Sequence, residues 1–250
     1  MLTRSDVLVI VPAYNEEATV AAVVRDVRDA GFRLLVVSDG STDGTVSLAR
    51  EAGATVLPLP VNLGVGGALR AGFRFACNEG FSAVVQVDAD GQHPPTRIDS
   101  LIEAANSTGA DLVIGSRFRT SESSMQIASH RRFAMRILAI TASVSARRKL
   151  SDVTSGFRLI RSPLLNEFAR TFPSNYLGDT YEATVAAARA GYQVHEIPAP
   201  LMPRRAGESS ANSIQGSLFT LKAISVALTG LHPLISRTPR REGEVQRRPS

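Results

Sequence analysis

Two carboxylates separated by one residue, Asp88 and Asp90, follow the apolar run Val84-Val85-Gln86-Val87. Hard oxygen ligands on the loop leaving a strand suit Mg2+ or Mn2+ bridging a diphosphate. Gln92 offers a third oxygen, so Asp88, Asp90 and Gln92 are the candidate metal ligands. A divalent ion there would offset charge building on a leaving nucleoside diphosphate. Taken alone, Asp-Ala-Asp-Gly is equally a turn that ends a strand. Glu16, Asp39 and Asp43 also fall just after strand-like runs, however, so several carboxylates should share one edge. His93 reads either as a further ligand or as a polar loop residue.

The elements that must position these groups alternate regularly. Apolar, β-rich runs occur at Val7–Pro12, Leu34–Ser38, Thr55–Leu57, Ala83–Val87 and Leu112–Ile114, with helical patterns over 17–30, 44–52, 66–78 and 97–106 between them. Near-continuous apolar strands separated by helices predict a Rossmann-like α/β fold, a mostly parallel central sheet with helices on both faces. In such sheets, ligands bind outside the carboxyl ends of the strands. The second half predicts a helix over 127–149, a strand over Asp152–Ile160, a helix over 179–190 and a strand over Tyr192–Ile197. Residues 1–212 form the expected catalytic domain, 213–236 a C-terminal amphipathic helix able to lie at a membrane interface, and 237–250 a disordered basic tail.

A 250-residue chain with 44% hydrophobic and 20% charged residues has enough apolar content for a core without disulfides. One cysteine, Cys77, excludes an intramolecular disulfide and suits a reducing compartment. The net charge of +5 and pI near 10.0 suit an anionic partner. Nucleic acid is disfavoured, because aromatics do not interleave with the basic residues and tryptophan is absent. The first apolar run is too short for a signal peptide, and no uninterrupted apolar run of about 18 residues predicts a transmembrane helix.

Several motifs then agree in order. Val11-Pro12-Ala13-Tyr14-Asn15-Glu16-Glu17, Ser38-Asp39-Gly40-Ser41-Thr42-Asp43-Gly44-Thr45 and Asp88-Ala89-Asp90-Gly91-Gln92-His93 resemble the family-2 glycosyltransferases of GT-A fold. Asn62-Leu63-Gly64-Val65-Gly66-Gly67-Ala68, Gly115-Ser116-Arg117-Phe118 and Asp152-Val153-Thr154-Ser155-Gly156-Phe157-Arg158 extend the resemblance over roughly residues 6–210. The Gly-Ser-Arg-Phe and Ser-Gly-Phe-Arg segments, with Arg204-Arg205-Ala206-Gly207-Glu208-Ser209, are most similar to the polyprenyl-phosphate hexose synthases, the branch that includes dolichyl-phosphate mannose synthase. The chain departs from the family at Ser38, where a first Asp is frequent, and at Gly66, where Lys or Arg is common.

The resemblance implies a metal-dependent hexosyltransferase that inverts configuration. It assigns Pro12, Ala13, Tyr14, Glu16, Asp39, Asp88 and Ala89 to a nucleotide-sugar donor, GDP- or UDP-hexose. It assigns Arg117, Arg131, Arg132 and Arg204 to the phosphate of a polyprenyl phosphate acceptor, and Asp90, Arg117 and Arg158 to catalysis. A phosphate with a second pKa of about 6 needs no general base, only positioning and charge neutralisation by arginine. If the acceptor is instead a glycan hydroxyl, a base is required, and Asp152 and Asp179 are the candidates. The polar stretch from Arg119 to Gln126 is placed to close over the donor or to serve as a plain surface connection. The helices over 127–149 and 213–229 mix apolar residues with arginine and lysine, which predicts peripheral contact with the inner, cytoplasmic face of the cell membrane. Rival readings are a nucleotidyltransferase, which would release pyrophosphate, and a catalytically inactive homologue that only docks partners at the membrane.

Overall fold

The computed structural model describes residues 1–118, 129–173, 179–200 and 202. Its strands are β1 (Val7–Ala13), β2 (Arg33–Asp39), β3 (Thr55–Leu59), β4 (Ala83–Gln86), β5 (Leu112–Ser116), β6 (Arg158–Arg161) and β7 (Val194–Pro198). They form one sheet in the order β3-β2-β1-β4-β6-β5-β7. The helices are α1 (Val20–Asp29), α2 (Thr45–Glu51), α3 (Gly64–Asn78), α4 (Ile98–Thr108), α5 (Ser129–Ala146), α6 (Leu164–Thr171) and α7 (Asp179–Arg189).

The expected α/β sheet covered on both faces is what the chain builds. Val7, Val9, Val11 and Val85 turn to one face, against Val20, Val24 and Val27 of α1 and Ile98 and Leu101 of α4. Leu8, Ile10, Leu35 and Val84 turn to the other, against Ala68, Leu69 and Phe73 of α3 and Leu164 and Phe168 of α6. Burying a Val, Leu or Ile side chain contributes about 1.5–3 kcal/mol. The unbroken run Val7 to Val11 is therefore stable only as an interior strand with neighbours on both sides, and β1 lies between β2 and β4.

One strand runs against the rest. β6 is antiparallel to both β4 and β5, with Gln86 opposite Arg158 and Ile114 opposite Arg158. It is shorter than the expected strand over Asp152–Ile160, because residues 151–157 form a loop before it. Since β6 enters the sheet from the edge where β1, β2, β4 and β5 end, that loop is delivered to the carboxyl edge. α1 also starts later than expected, at Val20, because residues 14–19 are held in a separate turn. No helix among the described residues is long and apolar enough to cross a membrane. The predicted 213–229 helix, the basic tail and the 119–126 stretch lie outside the described residues.

Candidate active site

The turns leaving β1 and β2 are tied together. Asn15, with φ +54°, donates its backbone N–H to Ser41 Oγ at 3.1 Å, and its Oδ1 accepts from the Thr42 N–H at 2.9 Å. Glu16 N–H donates to Thr45 Oγ1 at 2.8 Å, Glu17 N–H to Asp43 Oδ2 at 3.1 Å, and Gly44 N–H to Glu17 Oε2 at 2.9 Å. Asp43, Glu17 and Asn15 thus lock the two loops to each other. Tyr14 is left half-exposed on their outer side, with Pro12 and Ala13 beneath it at the end of β1.

Asp39 ends β2, buried, with Oδ1 accepting the Leu63 N–H at 2.7 Å. Burial raises its carboxyl above the usual range, and the backbone N–H groups of Leu63 and Gly64 offset part of that. Gly40 (φ +70°) is required here, because a Cβ would come within 2.6 Å of the Asn62 nitrogen. Val61, Leu63 and Val65, in the segment that donates to this carboxylate, remain substantially exposed. An acid tied to a segment with exposed apolar side chains suits the donor groups and the flat face of a nucleobase.

After β4 the chain turns through Asp88, Ala89, Asp90, Gly91 and Gln92. The Asp88 N–H donates to His93 Nδ1 at 3.1 Å, which leaves Nε2 to carry the proton of the neutral ring, 3.7 Å from Asp88 Oδ2. His93 is buried, its ring centroid 5.2 Å from that of Phe157. It braces the turn from inside. Asp88 itself is 40% exposed, and its Oδ1 accepts from Gln86 Nε2 at 3.2 Å. Asp90 Oδ1 accepts the Gln92 N–H at 3.0 Å. No three His, Cys, Asp or Glu side chains converge as a closed cation cage among the described residues. Two carboxylates and an amide on one partly exposed turn instead fit a hard divalent ion that draws its other ligands from phosphate and water.

The Ser151–Gly156 loop lies against this turn. A Cβ on Gly156 would come within 2.8 Å of both Asp88 carboxylate oxygens, so only glycine allows the approach. From the same loop, Asp152 receives Arg117, at the end of β5, as a two-point pair. Arg117 Nε donates to Oδ2 at 2.6 Å and Nη2 to Oδ1 at 2.7 Å, and Nη2 also donates to Thr154 Oγ1 at 2.8 Å. Nη1 makes no hydrogen bond to a described residue. Burial alone would lower the Arg117 guanidinium, but Asp152, with Asp88 behind it, outweighs that and holds it above its usual value.

Arg158 was expected to serve catalysis, and it lies away from the open edge. It is 0% exposed. Its Nε donates to Ser155 O at 3.1 Å, joined by Nη2, and its Nη1 to Thr180 O at 3.2 Å. Burial lowers it to about 10, with Asp152 and Asp88 acting against that, so it stays charged at neutral pH. Asp152, the candidate base for a hydroxyl acceptor, has both oxygens bound to Arg117 and its side chain fully buried. Arg131 and Arg132 fall in the first turn of α5, where side chains are outside the described residues, as are Arg204 and the Asp179 side chain.

The structure therefore gathers Asp88, Asp90, Gln92 and Arg117 at one edge, with Asp39, Tyr14 and Glu16 along it. Sequence reasoning did not single out Glu196 of β7, a buried carboxylate under the Ser151–Gly156 loop. An acid among the apolar residues of Tyr192–Ile197 was the available signal.

Residues 8–168, well over half of the chain, match Glycosyl transferase family 2. The chain belongs to that family. It is 31% identical over 233 residues to the undecaprenyl-phosphate mannosyltransferase of Micrococcus luteus, covering 90% of this chain and 94% of that protein. It is 33% identical over 227 residues to the polyprenol monophosphomannose synthase of Mycolicibacterium smegmatis, covering 85% and 84%. Among solved structures, the glucosyl-3-phosphoglycerate synthase of Mycobacterium tuberculosis, in complex with Mn2+, UDP-glucose and phosphoglyceric acid, superposes with a TM-score of 0.69 at 20% identity, over 89% of this chain and 78% of that one. The fold of this family-2 glycosyltransferase is thus GT-A, as its motifs implied.

Proposed function

We propose that this glycosyltransferase moves a hexose from GDP- or UDP-hexose to the phosphate of a polyprenyl phosphate, with inversion, using Mg2+ or Mn2+. The observation that carries the reading is the likeness, over 85–90% of the chain, to two enzymes whose names specify mannose transfer to polyprenyl phosphates. In this reading Asp39 and Tyr14 hold the base and ribose, and Asp88, Asp90 and Gln92 hold the ion and diphosphate, supported by their common position at the carboxyl edge of the sheet. The ion, when bound, neutralises charge on the leaving nucleoside diphosphate. Arg117 lies close enough to Asp88 for their charges to interact, and its Nη1, which has no hydrogen bond to a described residue, is the donor assigned to an acceptor phosphate. A phosphate oxygen attacks the anomeric carbon from the face opposite the diphosphate, forming the new glycosidic bond as the old one breaks. No base takes part. The engagement of both Asp152 oxygens by Arg117 disfavours the reading in which a glycan hydroxyl is deprotonated there.

The test is transfer of label from a panel of nucleotide sugars into the organic phase with a short polyprenyl phosphate. Label in the lipid that depends on added Mg2+ or Mn2+ is the expected result. Label confined to glycan acceptors would replace the reading.

The same proposal places the enzyme peripherally on the inner face of the cell membrane. α5 exposes Ile140 (55%) and Val144 (74%) one turn apart, with Arg136 on the helix and Arg147 and Lys149 just beyond it, all exposed. Apolar residues flanked by cations suit an anionic bilayer surface. Val144→Glu is expected to weaken co-sedimentation with anionic vesicles by roughly tenfold, the cost of losing one buried aliphatic side chain. Unchanged partitioning would remove α5 from the contact.

A further inference from the structure

The Ser151–Gly156 loop is gripped at both ends by buried side chains of opposite sign that cannot touch substrate. At its start, Glu196 of β7, 3% exposed, accepts the Ser151 N–H at Oε2 (2.8 Å) and both the Ser151 hydroxyl and the Asp152 N–H at Oε1 (2.8 Å each). At its end, Arg158 donates through Nε and Nη2 to Ser155 O and reaches α7 through Thr180 O. Between these anchors the loop presents Asp152 and Thr154 to Arg117, and Gly156 to Asp88. Among the described residues, the side-chain hydrogen bonds that aim Arg117 at the edge therefore all go to a segment whose backbone Glu196 fixes. A backbone N–H is a fixed donor, so two such groups and a hydroxyl converging on one carboxylate specify position closely.

We infer that Glu196 is a positioning residue for sugar transfer, acting through the Ser151-Asp152 backbone and the Asp152 carboxylate to hold Arg117 at the acceptor side of the site, with Arg158 as the opposite anchor of the same loop. The inference rests on the role given to Arg117 above. Glu196→Gln keeps the shape but turns an NH2 group toward donors that have no other acceptor on that side chain. The loop start must then shift, and a misplacement of about 1 Å can cost a hundredfold in rate.

The experiment is a cycle read on initial transfer rates. Glu196→Gln is introduced into the parent and into an Arg117→Ala, Asp152→Asn background, which lacks the pair that Glu196 serves. In the parent, kcat/KM for polyprenyl phosphate is expected to fall about tenfold to a hundredfold, with nucleoside diphosphate affinity by calorimetry unchanged within about twofold. In the paired background, the same substitution is expected to cost less than about threefold. Equal loss in both backgrounds, or a parallel loss of nucleotide affinity, would make Glu196 merely structural and overturn the inference. If Glu196→Gln does not fold, Ser151→Ala, which removes one of the three donors, decides by the same cycle. A parent that labels a glycan and not the lipid would overturn the acceptor assignment, and the cycle is then run on that glycan reaction, so the two failures are told apart.

Discussion

Replacing Asp90 with alanine is expected to lower transfer by at least ~1000-fold, about 4 kcal/mol of transition-state stabilisation, while the protein stays folded. Asp90 stands on the turn after β4, partly exposed, and its Oδ1 accepts the Gln92 N–H. Losing a hydrogen bond of that kind costs about 1 kcal/mol, which moves the melting temperature of a chain this size by roughly 2–4 °C. Losing a carboxylate ligand removes a charge from the ion that must stabilise the departing diphosphate, a far larger effect on rate than on stability. The measurement pairs initial rates across an Mn2+ titration with a thermal melt. A folded Asp90→Ala protein with near-parental turnover would end the assignment of this turn to the metal. An unfolded one would mean that the turn holds the β4 edge together, and Asp90→Asn would then be used.

The parts of this molecule that were legible in its sequence are those set by local pattern. Val7–Val11 and Ala83–Val85 are apolar without a break, as interior strands are, and polar residues that must lie at the carboxyl edge follow soon after each. The turn carboxylates Asp39, Asp88 and Asp90 were found for that reason. What escaped was set by pairing across the chain. Val153, Phe157, Leu159 and Ile160 are all buried, so the run from Asp152 has a strand's hydrophobicity. Its first half is nevertheless a loop, because the backbone of Ser151, Asp152 and Ser155 is bound by side chains, Glu196 and Arg158, where a strand would use neighbouring strands. No periodicity encodes that choice. For the same reason Arg158 resembles a catalytic arginine in its motif and yet lies inside. Its partners are carbonyls of its own loop and of α7 and the Thr184 hydroxyl, groups that only the antiparallel entry of β6 brings near. Asp43 misled in the opposite direction, counted as an edge charge although it binds the β1 and β2 loops to each other through the Glu17 N–H.

Arg117 joins the structural and chemical arguments, and its substitution separates them. Arg117→Ala leaves Asp152, whose side chain is 0% exposed, as a buried carboxylate without its cation, which typically costs about 3–5 kcal/mol of stability. Transfer is expected to fall about 100- to 1000-fold, because the acceptor phosphate loses the charged Nη1 donor. The first effect on its own would leave the second ambiguous. Adding Asp152→Asn removes the stranded charge, so the double variant is expected to regain most of the lost stability and none of the lost transfer. Arg117→Lys keeps one positive charge but cannot reproduce the two-point pair with Asp152 while also presenting a donor to a phosphate, so it is expected to restore little activity. Nucleotide affinity, read by calorimetry with Mg2+ present, is expected to stay within about twofold in all three variants. If affinity falls with rate, Arg117 serves the diphosphate of the donor. If the double variant recovers transfer along with stability, the guanidinium is a structural partner of Asp152, and the acceptor phosphate must be held by arginines beyond it.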